Sequence, residues 1–157
     1  MNEKENTIEV SVLIPNYNYA RYLEQCINSV IESDFDPSKL EIIIIDDRST
    51  DKSVEIVNKI KETANTDIPI LLVPKQVNSG LANTRNIGVE NSKGSFLFFL
   101  DSDNYIAKDC IKLHYEFLQK HSDYAACFAP IQKFDDCNGN FLEIFSNHEF
   151  DYSMLKN

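Results

Sequence analysis

Three segments of this 157-residue chain carry side chains that could do chemistry together: Pro15-Asn16-Tyr17-Asn18, Asp46-Asp47-Arg48-Ser49 and Asp101-Ser102-Asp103-Asn104. Alternate residues beyond a strand point the same way, so Asp101 and Asp103 can face one ligand or metal. Paired carboxylates suit a hard divalent cation, Mg2+ or Mn2+, that bridges phosphate oxygens. Taken singly, none of these segments is specific. A lone D-x-D reads as two solvated acids with Ser102 or Asp103 capping a helix; Asp46-Asp47 reads as a turn and cap, Pro15 to Asn18 as a plain loop, and Arg85 as a surface or ion-paired arginine. Their common placement joins them, because each of the three segments directly follows an apolar run.

Those runs are Val10–Ile14, Ile42–Ile45, Ile70–Val73 and Phe96–Leu100. They are continuous and rich in β-branched or aromatic residues, the pattern of strands covered on both faces of a parallel sheet. Leu23, Ile27, Val30 and Ile31 share one helical face between the first two, with Asp36-Pro37 beyond its end. Ser49 or Thr50 is expected to cap a second helix, with Asp51 in its first turn and Val54, Val57 and Ile60 inside. Leu81, Ile87 and Val89 predict a shorter third helix that stops near Gly94. The resulting β-α-β-α-β-α-β order predicts an open α/β sheet, in which ligands bind outside the carboxyl ends of the strands, where the three segments lie. Further on, Ile106, Cys110, Leu113 and Phe117 predict a fourth helix, Tyr124–Ile131 a fifth strand and Asn138-Gly139 a hairpin turn. Ser146 to Asn157 has little periodicity and is expected to be poorly ordered or part of something longer.

Composition narrows the partners. A chain of this length buries roughly 70% of its unfolded surface, enough for a core without staples. The net charge of -10, from 15 basic and 25 acidic side chains, repels phosphate backbones and excludes nucleic acid. A small anionic ligand remains compatible where a cation or backbone N–H groups mask the repulsion. Cys26, Cys110, Cys127 and Cys137 form no C-x-x-C pair and are expected to be free thiols. Residues 1–9 lack the basic and apolar regions of a secretory signal, and no apolar run approaches the roughly 20 residues of a membrane span, so a cytoplasmic location is expected. Neither G-x-G-x-x-G after the first run nor G-x-x-x-x-G-K-[ST] occurs, which disfavours dinucleotide dehydrogenases and P-loop enzymes. His114, His121 and His148 lack metal-ligand spacing.

In order and spacing, the segments VSVLIPNYN (Val10–Asn18), EIIIIDDRSTD (Glu41–Asp51), NSGLANTRNIGVENSKG (Asn78–Gly94) and FLFFLDSDN (Phe96–Asn104) resemble glycosyltransferase family 2. Members of this family are inverting enzymes of the GT-A (Rossmann-like) fold, a mostly parallel sheet with helices on both faces. Arg48 stands where the family carries glycine, a departure expected to alter the local turn.

The resemblance implies a site residue by residue. Pro15, Asn16, Tyr17 and Asn18 would floor the nucleobase, and Asp46 or Asp47 would accept from a uracil-like edge. Asn78, Gly80 and Arg85 would line the nucleotide, with Arg85 touching the ligand or locking the acidic loops. Asp101 would lie toward the ribose and in the metal shell, Ser102 would bind the nucleotide, and Asp103 would be the direct metal ligand. The implied reaction moves a hexosyl or N-acetylhexosaminyl group from a UDP-sugar to a hydroxyl of a polysaccharide, lipid-linked or protein-linked glycan acceptor, with inversion.

The family's general base lies in an acceptor-binding segment that nothing after Tyr124 matches, and Asp135, Asp136, Glu143, Glu149 and Asp151 read as surface acids. Residues 1–145 are therefore expected to be the donor-binding half, with 146–157 leading toward an acceptor segment that could bring the protein to the inner face of a membrane. Apolar surface left uncovered would favour self-association. A nucleotidyltransferase would need a glycine-rich basic loop where Pro15 to Asn18 stand. A non-catalytic nucleotide-binding or interaction module with the same fold is the alternative.

Overall fold

The computed structural model describes residues 7–145. The chain divides at Glu116/Phe117 into two compact units. The first holds β1 (Val10–Asn16), α1 (Ala20–Ile31), a 3-10 turn (Pro37–Lys39), β2 (Leu40–Asp46), α2 (Ser53–Thr63), β3 (Ile70–Pro74), α3 (Leu81–Asn91) and β4 (Phe96–Phe99). All pairings are parallel, in the order β3-β2-β1-β4. The expected open α/β sheet is present.

The pleat sends alternate residues of β1 and β2 into two layers. Val12, Ile14, Ile42 and Ile44 pack with Leu23, Cys26, Ile27 and Val30 of α1 and Val57 and Ile60 of α2. Leu13, Ile43 and Ile45 face the other way, toward Val73 and Ile87. Every residue of β1 and β2 is buried. At about 1.5–3 kcal/mol per buried large aliphatic side chain, these two strands dominate the stability of the unit. The outer strands differ from expectation: β4 alternates in exposure, β3 is only partly buried, and Leu71, Leu97 and Phe99 are open to solvent. On one face of the sheet α3 packs on the two central strands.

Of the three apolar residues that predicted α3, Ile87 packs against the core. Leu81 and Val89 are exposed, and the helix turns Thr84 and Gly88 inward instead. A Cβ at Gly88 would lie 2.9 Å from Ile45 Cδ1, so glycine is what lets the helix approach β2. At the opposite end of the sheet Ser11 Oγ donates to Glu41 Oε1 (2.6 Å), which also accepts from Lys93 N (2.7 Å), while Gly94 N donates to Ser11 Oγ (2.9 Å). These bonds pin the entry to β4 beside β1.

The second helix starts later than expected. It begins at Ser53 rather than after Ser49 or Thr50, and Asp51 serves its first turn by accepting from Ser53 N (3.0 Å) and Ser53 Oγ (2.6 Å). The fourth helix, α4 (Cys110–Lys120), leaves Ile106 outside, its N–H held by Ser29 Oγ at 3.2 Å.

In the second unit the expected strand over Tyr124–Ile131 is displaced. β5 (Ile131–Phe134) and β6 (Phe141–Phe145) form an antiparallel hairpin whose connection contains Asn138-Gly139, with Gly139 at φ 71°. Apolarity alone did not separate strand from the loop that precedes it. The stretch 146–157 lies outside the described residues. Among the described residues no helix is long and apolar enough to cross a membrane, and none of the four cysteines is in a disulfide.

Candidate nucleotide and metal site

The site is assembled where β1, β2 and β4 end and where α3 begins. Asn16, the last residue of β1, is buried, and its Nδ2 donates to Asp46 Oδ1 (2.8 Å) and Ser49 Oγ (3.1 Å). Ser49 donates its own hydroxyl to Asp46 Oδ1 (2.6 Å) and its N–H to Asp46 Oδ2 (2.9 Å). Asn18 joins the same knot: its N–H reaches Ser49 Oγ (2.9 Å), and its Oδ1 accepts from Thr50 N (2.7 Å). Asp51 Oδ2 accepts from Ala20 N (3.0 Å), which ties α1 to the β2 loop as well. The first two chemical segments are thus one hydrogen-bonded body, above which Tyr17 stands 45% exposed.

Within it Arg48 adopts φ 63° and Asn18 φ 59°, both left-handed. The turn expected to change at Arg48 therefore keeps the backbone that glycine would give. The arginine bears the strain, about 1–2 kcal/mol for a non-glycine residue there.

Asp47 faces away from this knot. Its Oδ1 accepts from Ser79 N (2.9 Å) and the Lys75 ammonium (2.6 Å), and its Oδ2 accepts from Gly80 N (2.8 Å). Gly80, at φ 83°, is the residue that precedes the first turn of α3. Burial works to raise the Asp47 pKa, but the hydrogen bonds from Lys75, Ser79 and Gly80 together with the lysine charge outweigh it and hold the carboxyl below its ordinary value. Asp46 and Asp47 are both buried, and all four of their carboxylate oxygens have partners within the protein. Lys75 was not among the residues legible from sequence; a single lysine one residue past a strand carries no pattern.

The acids after β4 contrast with these. Asp101 is half-exposed, and Asp103 is exposed, while Ser102 between them is buried. Asp101 Oδ1 accepts from Arg85 Nη2 at 2.8 Å, so Arg85 reaches from α3 to the D-x-D loop. Arg85 Nε is enclosed without a hydrogen-bond partner, an unmet donor beside the acidic loop. Cys26, buried in α1, lies beneath the same loop with its Sγ 3.7 Å from the Asp101 carbonyl. Its thiol is pushed up to about 12, first by burial and then by the charges of Asp103 and Asp101, so both carboxylates act on one point. Among the described residues no three His, Cys, Asp or Glu side chains gather around one position. Mg2+ bound with a nucleotide requires only one or two carboxylates plus phosphate and water oxygens. Asp101 and Asp103, two solvent-accessible carboxylates on one loop, fit that need in number and chemistry.

An open parallel sheet with carboxylate loops at its carboxyl rim, and no glycine-rich phosphate loop, defines the GT-A-like α/β class. A family model described as "Glycosyl transferase family 2" matches residues 11–156, and the chain belongs to that family. An uncharacterized glycosyltransferase of Haemophilus influenzae is 35% identical over 93% of this chain and 56% of its own length. The crystal structure of residues 1–349 of Staphylococcus aureus TarS in complex with UDP-GlcNAc superposes with a TM-score of 0.67 at 31% identity, over 73% of this chain and 32% of that one. Mannosyltransferase PcManGT from Pyrobaculum calidifontis, in complex with GDP-Man and Mn2+, gives 0.67 at 28% identity over 70% and 32%. The chain thus spans about half of the first relative and about a third of each solved chain.

Proposed function

We propose that residues 1–145 are the donor-binding half of a metal-dependent, inverting glycosyltransferase with a UDP-sugar as its donor. The observation that carries this reading is the unbroken chain of bonds from Asn16 and Asp46, through Asp47 and the start of α3, to Arg85 and Asp101. It holds a buried polar network at one end of a rim and two solvent-accessible carboxylates at the other, which is what a nucleoside diphosphate requires. The base would lie over Pro15 to Asn18, against the Tyr17 ring. Asp46 and Asp47 keep lone pairs beyond those already used, so either could still accept from a uracil edge. Asn78, Gly80 and Ser102 would line the nucleotide, and Asp101 would lie toward the ribose.

Asp103, with Asp101, would hold Mg2+ or Mn2+; when bound, the cation supplies charge neutralisation for the diphosphate leaving group. Arg85 would place a guanidinium beside the same diphosphate, with its unmet Nε as a further donor. The complexes of TarS with UDP-GlcNAc and of PcManGT with GDP-Man and Mn2+ support a nucleotide-sugar and a cation here.

The acceptor hydroxyl needs a general base, and two of the described acids of the second unit, Asp135 and Glu143, are already engaged within the protein. Asp135 Oδ1 is engaged by Cys137 N (2.7 Å) and Asn138 N (3.3 Å), and the exposed Glu143 is paired with Lys133 at 3.0 Å. These 157 residues alone should therefore bind donor and transfer sugar slowly or not at all, the behaviour of a binding module. Thermal stabilisation by a nucleotide panel with and without Mn2+, followed by a transfer assay, tests both halves of the proposal. A Mn2+-dependent shift with UDP and no turnover is expected. Absence of any nucleotide shift would overturn the donor-site reading, and rapid transfer by this chain alone would overturn the assignment of the base elsewhere.

A further inference from the structure

We infer that Lys75 is a positioning residue that couples Asp47, at the nucleobase end of the rim, to the Arg85–Asp101 pair at the diphosphate end. This inference rests on the donor-site reading above for its functional consequence, but not for its geometry. The Lys75 Nζ touches three separate pieces of chain: Asp47 Oδ1 on the β2 loop (2.6 Å), Ser79 Oγ on the loop before α3, and Thr84 Oγ1 in the first turn of α3 (3.0 Å). An ammonium has three donors, and here each has an acceptor. The side chain is 8% exposed, so it has neither a spare donor nor an open path to a ligand. Its role is to hold other groups rather than to contact the nucleotide.

What it holds is the start of α3. Thr84 Oγ1 donates onward to the Gly80 carbonyl (2.9 Å), and Ser79 Oγ donates to Asn83 Oδ1 (2.7 Å), so the first turn is braced on the lysine from two sides. Asp47 grips the same turn from below through Ser79 N and Gly80 N. The residue after Thr84 is Arg85, whose Nη2 meets Asp101. A helix is stiff over a single turn, so a shift at Thr84 moves the arginine that orients the D-x-D loop. The backbone of Lys75 adds a further tie, its N–H donating to the Asp46 carbonyl at 2.8 Å.

The test measures UDP affinity in Mn2+ by calorimetry on the full chain, for wild type, Lys75→Met, Thr84→Val, Arg85→Met and Lys75→Met/Arg85→Met, together with the NMR resonance of Arg85 Nε–Hε. Thr84→Val is isosteric and keeps the lysine charge, so it separates positioning from simple electrostatics and serves if Lys75→Met does not fold. Lys75→Met is expected to weaken UDP by about tenfold and Thr84→Val by about threefold, each moving the Arg85 resonance; with Arg85 already replaced, the Lys75→Met loss should shrink to about twofold or less. An unmoved Arg85 resonance, or a Lys75→Met loss undiminished in the Arg85→Met background, would overturn the coupling. Failure of the wild type to bind UDP with Mn2+ would instead sink the donor-site reading, and the nucleotide-free Arg85 resonance would still decide the lock.

Discussion

The two acidic pairs of this rim have similar sequences and opposite situations. Asp46 and Asp47 are 3% and 4% exposed, and the protein itself supplies partners to every oxygen. Asp101 is half-exposed and Asp103 exposed, and Arg85 meets Asp101 in a half-exposed ion pair. Such a pair contributes about 0–1 kcal/mol, whereas a buried, hydrogen-bonded carboxylate cannot lose its cation without large cost. The first pair is therefore held by the fold, and the second stands at the surface. On the proposed reading, preorganisation at one end and availability at the other would divide the work of holding a ligand that is part base and part diphosphate.

The largest expected effect breaks the buried pair. Asp47→Ala strands the Lys75 ammonium and two N–H groups, and should lower stability by about 3–5 kcal/mol in urea unfolding. Asp103→Asn should leave the melting temperature of the free protein within about 1 °C of wild type. In the same protein the Mn2+-dependent stabilisation by UDP should vanish, a loss of about 2.7 kcal/mol at a ligand concentration 100 times Kd. If Asp103→Asn destabilised the free protein as much as Asp47→Ala, the contrast between the pairs would be wrong.

Acid sharpens the same contrast. The carboxyls of Asp47 and Asp51 are held low, in each case because hydrogen bonds overcome a burial effect of opposite sign. A lowered carboxyl contributes stability above its unfolded value, about 3.9, and loses it as pH falls through the folded value. Stability measured from pH 7 downward should stay level in this respect until about pH 4 and then drop, and Asp47→Asn should flatten that drop. The smallest effect concerns the turn between the acids: Arg48→Gly should stabilise by about 0.5–1 kcal/mol, since relief of left-handed strain is partly offset by the entropy of glycine. Thermal unfolding of the two proteins side by side would show it, and a destabilised glycine variant would mean that the Arg48 side chain has a compensating contact.

Much of the fold was legible because it rests on local pattern. The continuous apolar runs of β1 and β2 have few alternatives to a doubly covered parallel sheet, and the spacing of Leu23, Ile27 and Val30 matches the buried face of α1. Where the reading went astray, a neighbour distant in sequence decided the outcome. Leu81 and Val89 have the hydrophobicity of a core face, but the approach of α3 to Ile45 selected Gly88 and Thr84 instead. Ser49 has the chemistry of a helix cap, yet Asp46 and Asn16 take its hydroxyl, and Asp51 serves the helix.

The sequence by itself determined which residues stand just past each strand, and hence that the acids, the amides and Tyr17 would meet on one rim. The order of elements and the carboxyl-end rule follow from hydrophobic period and chirality, which short stretches of chain encode. Tertiary structure alone decided what each acid is for. Asp47 and Asp101 both follow a strand, but one finds Lys75, Ser79 and Gly80 some thirty residues away and is buried by them, while the other finds Arg85 at the surface. Burial and partner count are properties of packing, and the same carboxylate becomes a structural brace or stays open at the surface according to which distant groups the packing brings to it.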